Sequence, residues 1–174
     1  MLNSAHLVLS PISMEDLPVM FTWINDREQV LFNAPYKPVH EGQHQAWFDS
    51  IHKRNDLVIF GIRLLEDNKL IGSCQLHSID NVHRSAELQI RLGVPSQRGK
   101  GYGIEAVRLL LDFAFKDLNL QRVYLHVFST NAIAINLYEK AGFKREGLLR
   151  KAAHINGSYV DVIVLGILKE EHAG

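Results

Sequence analysis

The chain has little of several things that would narrow its chemistry at once. Its single cysteine, Cys74, leaves no partner for an internal disulfide, and a lone thiol is consistent with a reducing compartment. Lysine plus arginine number 19 and aspartate plus glutamate number 19, so the formal net charge is zero. Without an excess of either sign there is no global field to draw in nucleic acid or an acidic membrane. No apolar stretch reaches the roughly 18 residues a membrane span requires. The N-terminus has no basic segment followed by an apolar run, so export is not indicated and a cytoplasmic protein is expected. Nucleotide signatures are missing too. There is no G-x-x-x-x-G-K-[ST] loop, and no G-x-G-x-x-G after a first strand with an acid suitably beyond it. No convincing Ser-His-Asp arrangement can be read. What is left is 174 residues, 47% hydrophobic and 22% charged, the make-up of one ordinary globular domain spanning 1–174.

One stretch organises the rest: Arg98-Gly99-Lys100-Gly101-Tyr102-Gly103. It follows an alternating strand, Ala86 to Val94, and opens a helix expected from about Ile104 to Leu118. Three glycines at alternate positions strip side chains from this strand-to-helix turn. Its N–H groups can then converge on an anion at the positive end of the helix, where Arg98 and Lys100 add charge. A Gly-rich turn alone often does no more than cap a helix. The flanking strand, the helix and the two basic residues favour a phosphate site.

Around this centre the chain reads in order. His6 to Leu9 is a short strand. A helix begins at Ser13, with Glu15 and Asp16 in its first turn and Leu17, Met20, Phe21 and Ile24 as its buried stripe. A second helix runs from about His40 to His52 and buries Trp47, Phe48 and Ile51. It contains His40-Glu41-Gly42-Gln43-His44, which satisfies the zinc-protease pattern H-E-x-x-H. The motif normally sits within a well-formed helix and needs a third ligand further on; this match straddles a helix start after Pro38, carries a glycine and shares its face with Trp47. The preferred reading is no metal, with His44 packed beside Trp47, where it can also border a substrate pocket. Leu57 to Leu65 and Leu70 to His77 form a hairpin, and Ser78 to Arg84 a loop. In the next strand Leu88, Ile90 and Leu92 point one way, and Glu87, Gln89 and Arg91 the other. That polar row is either a solvated face or a cleft lining, and the neighbouring loop favours the cleft. Arg122 to Phe128 is a strand parallel to it if the helix between is a right-handed crossover. Asn131 to Ala141 is a helix stopped by Gly142. Arg145 to Ile155 and Tyr159 to Leu168 flank Asn156-Gly157, a hairpin signal. The order is β-α-α-β-β-β-α-β-α-β-β, an α/β fold with a mixed sheet.

The residues Arg98 to Gly103 match R-x-x-G-x-G, and Asn131 to Phe143 resembles N-x-x-A-x-x-L-Y-x-K-x-G-F. Both patterns, in this order and spacing, resemble the GNAT N-acetyltransferase superfamily. The resemblance covers about Leu7 to Leu168 and is densest from Glu87 to Phe143. It implies a mixed, mostly antiparallel sheet splayed at a central parallel strand pair. It implies acetyl-CoA as co-substrate, with backbone groups of Leu92 and Val94 on its pantetheine arm. The loop Arg98, Gly99, Lys100, Gly101, Tyr102, Gly103 would take the pyrophosphate, and Asn131 and Asn136 would contact the cofactor. Asn131 is equally an N-cap.

Acetyl transfer to an amine requires removal of an ammonium proton, donors for an oxyanion and a proton for the leaving thiolate. Tyr138 matches the family tyrosine set against the sulfur and is the expected acid. Glu87, on the polar row, is the expected base, directly or through water; alternatively it only attracts a cationic acceptor. His126 and His83 are weaker candidates, and Cys74 in an apolar strand is expected to be inert. Trp23-Ile24-Asn25-Asp26 with His44 to Phe48 resembles segments of acetyltransferases acting on nucleotide-linked amino sugars. Arg84 to Ile90 and Ile155 to Tyr159 resemble spermidine and ribosomal-protein N-terminal acetyltransferases. The favoured acceptor is a small-molecule primary amine of amino-sugar or polyamine type, with a protein N-terminus second and a non-catalytic acyl-CoA-binding module as the different class. A polyamine enzyme would profit from an acidic cleft, and the second helix offers only Glu41 and Asp49. Dimers are common among the resembled enzymes, but nothing in this chain's pattern demonstrates one.

Overall fold

Alternation and helical periodicity resolve into eight strands and five helices in the computed structural model, which describes residues 1–173. In chain order these are β1 (Leu2–Asn3), β2 (Leu7–Ser10), α1 (Leu17–Ile24), α2 (Arg27–Val30), α3 (Glu41–Ser50), β3 (Val58–Leu64), β4 (Leu70–Asp80) and β5 (Ser85–Leu92). There follow α4 (Tyr102–Asp112), β6 (Arg122–Phe128), α5 (Ala132–Lys140), β7 (Lys144–Ile155) and β8 (Ser158–Leu168). They form one sheet in the order β1-β2-β3-β4-β5-β6-β8-β7. Every neighbouring pair is antiparallel except β5 and β6, joined by the α4 crossover. The α/β fold with a mixed, mostly antiparallel sheet is the expected one.

The two faces of the sheet differ because side chains alternate along each strand. Ala86 and Leu88 of β5 and Val123, Leu125 and Val127 of β6 point into a core closed by Ala106, Val107, Leu110 and Leu111 of α4 and Ile135 and Tyr138 of α5. On the opposite face α1 and α3 sit over a smaller cluster of Met20, Trp23 and Leu70, with Trp47 and Val94 packed against it. A buried ion pair locks the entry to α1: Arg63 Nη2 of β3 donates to Asp16 Oδ2 at 2.6 Å, and the Ser13 N–H donates to the same oxygen at 2.8 Å. Burial alone would push the Asp16 carboxyl up; Arg63 and Ser13 outweigh it and hold the group below the usual carboxylate range.

Some boundaries differ from expectation, each for a local reason. β1 has two residues, too few to show a period. α2 is a four-residue turn set by Asp26, whose Oδ1 accepts the Gln29 N–H. α4 begins at Tyr102, because Gly101 takes the left-handed conformation (φ 82°) and starts the helix early. It continues through a wider π turn, Phe113–Asp117. β5 ends at Leu92, so Val94 lies beyond the strand and its carbonyl accepts the Gln97 N–H. In α1 the buried aromatic is Trp23, with Phe21 only partly covered. The β7–β8 turn has positive φ at Asn156 (49°) and Gly157 (83°), as the Asn-Gly signal requires. Among the described residues, no helix is long and apolar enough to cross a membrane.

Candidate active site

The site begins where sheet pairing fails. β5 and β6 are joined only at Ser85–Arg122, Ala86–Val123 and Glu87–Tyr124, yet β5 runs on to Leu92 and β6 to Phe128. Beyond Glu87 the two parallel strands are therefore splayed. The Gly93 N–H donates to the Ile71 carbonyl at 2.8 Å, so the odd-numbered residues of β5 bond to β4. Alternation then turns the backbone N–H and C=O of Leu88, Ile90 and Leu92 toward the gap. The Leu92 carbonyl is taken by Arg98, and the gap-facing groups left beyond the last β5–β6 pair suit an amide-bearing chain laid in the gap.

A cavity of about 570 Å³ opens at this split. Its walls come from both faces: Ser73, Gln75, Gln89, Arg91 and His126 from the polar one, Cys74, Leu88, Ile90 and Tyr138 from the core side, with α1, α3 and the 33–39 segment as a roof. The opening thus passes through the sheet.

Three groups carry the acid–base potential. Tyr138 of α5 is 7% exposed, and its ring meets Phe143 edge-on at 5.8 Å. Burial pushes its phenol up to about 12, so it holds its proton throughout the neutral range. Glu87 does not line the cavity; its Oε1 accepts from His126 Nδ1 at 2.5 Å, and His126 does line it. A carboxylate only accepts, so Nδ1 carries a proton, and in the neutral form of the ring the lone pair is then on Nε2. His77 Nε2 lies 3.6 Å from the other Glu87 oxygen, and the Tyr124 phenol is raised by burial and then by the Glu87 charge. His83 is exposed on the β4–β5 loop, away from the cavity.

The remaining expected residues fall in distinct places. Gly99 and Gly101 have φ of 74° and 82° and are exposed ahead of α4, leaving its N-terminus open. Gly103 is buried, and a Cβ there would strike Leu137 of α5, so its missing side chain lets the start of α4 approach α5. Arg98 Nη2 donates to the Leu92 carbonyl at 3.0 Å and to Gln29 at 3.1 Å, while Lys100 reaches Gln97 at 3.2 Å. Asn131 caps α5 by accepting the Ala134 N–H at 3.2 Å, and its amide donates to the Phe32 carbonyl at 3.3 Å. Asn131 lines a separate shallow cavity with Phe32 and Ile133, and Asn136 is exposed on α5. His44 is buried, stacked on Trp47 at 5.4 Å with rings 5° apart, and burial lowers its pKa. His40 lies outside the helix at its N-cap, so H-E-x-x-H does not share one helical face. Cys74 is buried and its thiol is pushed up by that burial.

Comparison with known proteins settles the family. The profile described as "Acetyltransferase (GNAT) domain" matches residues 6–144. This chain belongs to the GNAT acetyltransferase family. Relatives of the GNAT chain include the spermidine N(1)-acetyltransferase of Vibrio cholerae, 34% identical over 97% of this chain and 96% of that protein. The Escherichia coli spermidine N(1)-acetyltransferase is 34% identical over 97% and 90%. The crystal structure of the Vibrio cholerae spermidine N-acetyltransferase in complex with CoA and spermine superposes with a TM-score of 0.90 at 32% identity, covering 98% of this chain and all of that one. The GNAT chain is an acetyl-CoA-dependent N-acetyltransferase, and its splayed strands and open α4 N-terminus fit that co-substrate.

Three features of this GNAT site were not singled out from sequence: the gap-facing backbone of Leu88 and Ile90, the placing of His126 rather than Glu87 on the cavity wall, and the charge of Arg91 and Lys37 in the cavity. The alternation of β5 placed Arg91 in the row with Glu87, but no signal in the chain showed that it would lack a counter-ion.

Proposed function

We propose that the enzyme acetylates a primary amine of a small molecule by direct attack on acetyl-CoA in a ternary complex. The observation that carries this reading is one cavity walled by both His126 and Tyr138 where the sheet divides. His126 Nε2 takes the ammonium proton, and Glu87 holds the ring in the tautomer that leaves Nε2 free and stabilises the imidazolium that forms. The gap-facing N–H groups of β5 bind the pantetheine amides and steady the carbonyl oxygen as it gains charge. Tyr138 hydrogen-bonds the departing sulfur. A phenol near 12 gives its proton only uphill to a thiolate whose acid lies at about 8.5, so its contribution is donation of a hydrogen bond during departure. The exposed turn Arg98 to Gly101, with Tyr102 and Gly103 opening the positive end of α4, takes the pyrophosphate, and Asn136 contacts the cofactor from α5. Asn131 acts as a cap that ties α5 to the segment after α2.

The cavity volume suits a small molecule rather than a protein terminus, and relatives named for spermidine support that class. A buried reduced thiol fits a cytoplasmic enzyme. Acetyl-CoA-dependent thiol release across polyamines, nucleotide-linked amino sugars and N-terminal peptides tests the reading. Release with one small-molecule class is expected; release only with peptides would move the acceptor to a protein terminus. Tight acetyl-CoA binding without release from any acceptor would favour a binding module. With the accepted acceptor, His126→Gln should lower kcat by about a hundredfold or more and Glu87→Gln by less, since the second removes only the orienting partner.

A further inference from the structure

Resting on that reading, we propose that the acceptor carries an anionic group, a phosphate or a carboxylate, well separated from its reactive amine and held by Arg91 with Lys37. Among the described residues that line the cavity there is no aspartate or glutamate, whereas Arg91 and Lys37 both line it. Neither cation has a hydrogen-bonded or ion-paired carboxylate among the described residues. The nearest acid in the row, Glu87, is engaged by His126. The imidazole of His44 is disfavoured from charging by burial and brings no acid with it. A guanidinium drawn into a cleft wall without a counter-ion is a costly arrangement that a bound anion relieves. A polycation would instead meet two like charges and no carboxylate.

The strand sets the spacing. Glu87 and Arg91 lie four residues apart on the same face of β5, roughly 13 Å along the strand. His126 is bound to Glu87, so the amine lies at one end of the row and the anion at the other. A free α-amino acid, with its two groups adjacent, cannot reach both. An elongated acceptor can, such as a primary amine joined to a phosphate by a long chain or a short peptide with a distal carboxylate.

Matched acceptors isolate the charge. One pair is aminooctyl phosphate against aminooctanol, whose chain is long enough for the spacing; another is Ala-Gly-Gly-Asp amide against Ala-Gly-Gly-Asn amide; spermidine is the cationic arm. For the wild-type enzyme, kcat/KM from thiol release should favour the charged member of at least one pair by about tenfold or more. The pair that responds tells phosphate from carboxylate. Arg91→Gln should collapse that preference toward unity, Arg91→Lys should restore part of it, and KM for acetyl-CoA should stay within about twofold. Preference for spermidine over every anionic acceptor, or a charged-to-neutral ratio that Arg91→Gln leaves intact, would overturn the proposal. Calorimetry on CoA-loaded protein decides the matter if no probe turns over. Aminooctyl phosphate should bind more tightly than spermidine and lose about tenfold in Arg91→Gln; equal or reversed affinities would overturn it. Failure to bind acetyl-CoA at all is a separate result, which would remove the parent reading and this one with it.

Discussion

The two faces of the sheet are built from alternate residues of the same strands and yet do opposite things. On the side of α4 and α5, Leu88, Val107, Leu110, Leu111 and Leu125 are almost fully buried and make one continuous core. On the side of α1 and α3, Glu87, Gln89 and Arg91 share a row with His126, and the two helices roof a cavity lined by Gln89, Arg91 and His126 rather than filling it. Dense packing on one face makes the scaffold rigid enough for the other to remain polar and hollow. The lesson is that the face which holds the fold is nearly silent about chemistry, and the face which carries chemistry contributes stability at only a few anchored points.

Substitutions can break that division or sharpen it. The largest stability effect on the polar side should come from Asp16→Asn, which leaves the buried Arg63 guanidinium unpaired and should cost about 3–5 kcal/mol in urea unfolding. Because the folded Asp16 carboxyl lies below its unfolded value, its contribution is present above about pH 4 and is lost as pH falls through the folded value. Asp16→Asn should therefore flatten the acid limb of stability; an unchanged limb would show that other carboxylates govern it. Next comes Tyr138→Phe, which keeps the ring against Phe143 and removes only the hydroxyl. It should lower kcat about a hundredfold with folding and acetyl-CoA binding intact, and unchanged turnover would remove Tyr138 from the chemistry. The smallest effects separate two glycines of one loop. Gly103→Val, driven into Leu137, should lose about 1–3 kcal/mol of stability. Gly101→Val meets open space but a φ of 82°, costing about 1–2 kcal/mol of backbone strain, and should show chiefly as a raised KM for acetyl-CoA. Equal effects on KM would mean that both glycines face the ligand.

The legible parts of this protein were those written within a few residues. The turn at Arg98 to Gly103, the alternation of β5, the Asn156-Gly157 hairpin and the stripe on α4 all express local dihedral preference or period, and each appears where the pattern put it. Tyr138 was legible through its surrounding segment, and the structure brings it to the cavity. The pairing of His126 with Glu87 was not legible because the two lie 39 residues apart, across a crossover whose register no local pattern states. The packing of Gly103 was hidden for the same kind of reason: its neighbour Leu137 belongs to another helix.

By itself the sequence determined which segments are strands, helices and turns, which side chains share a face, and where backbone must be free of side chains, because these follow from bonded geometry and short-range sterics. Only the tertiary structure decided where the pairing of β5 with β6 stops, which of His126 and Glu87 faces the cavity, and that Arg91 stands there without a counter-charge. Those are distances between elements far apart in the chain. They are set by the packing of α1 and α3 on one face against α4 and α5 on the other, and no local pattern of residues encodes them.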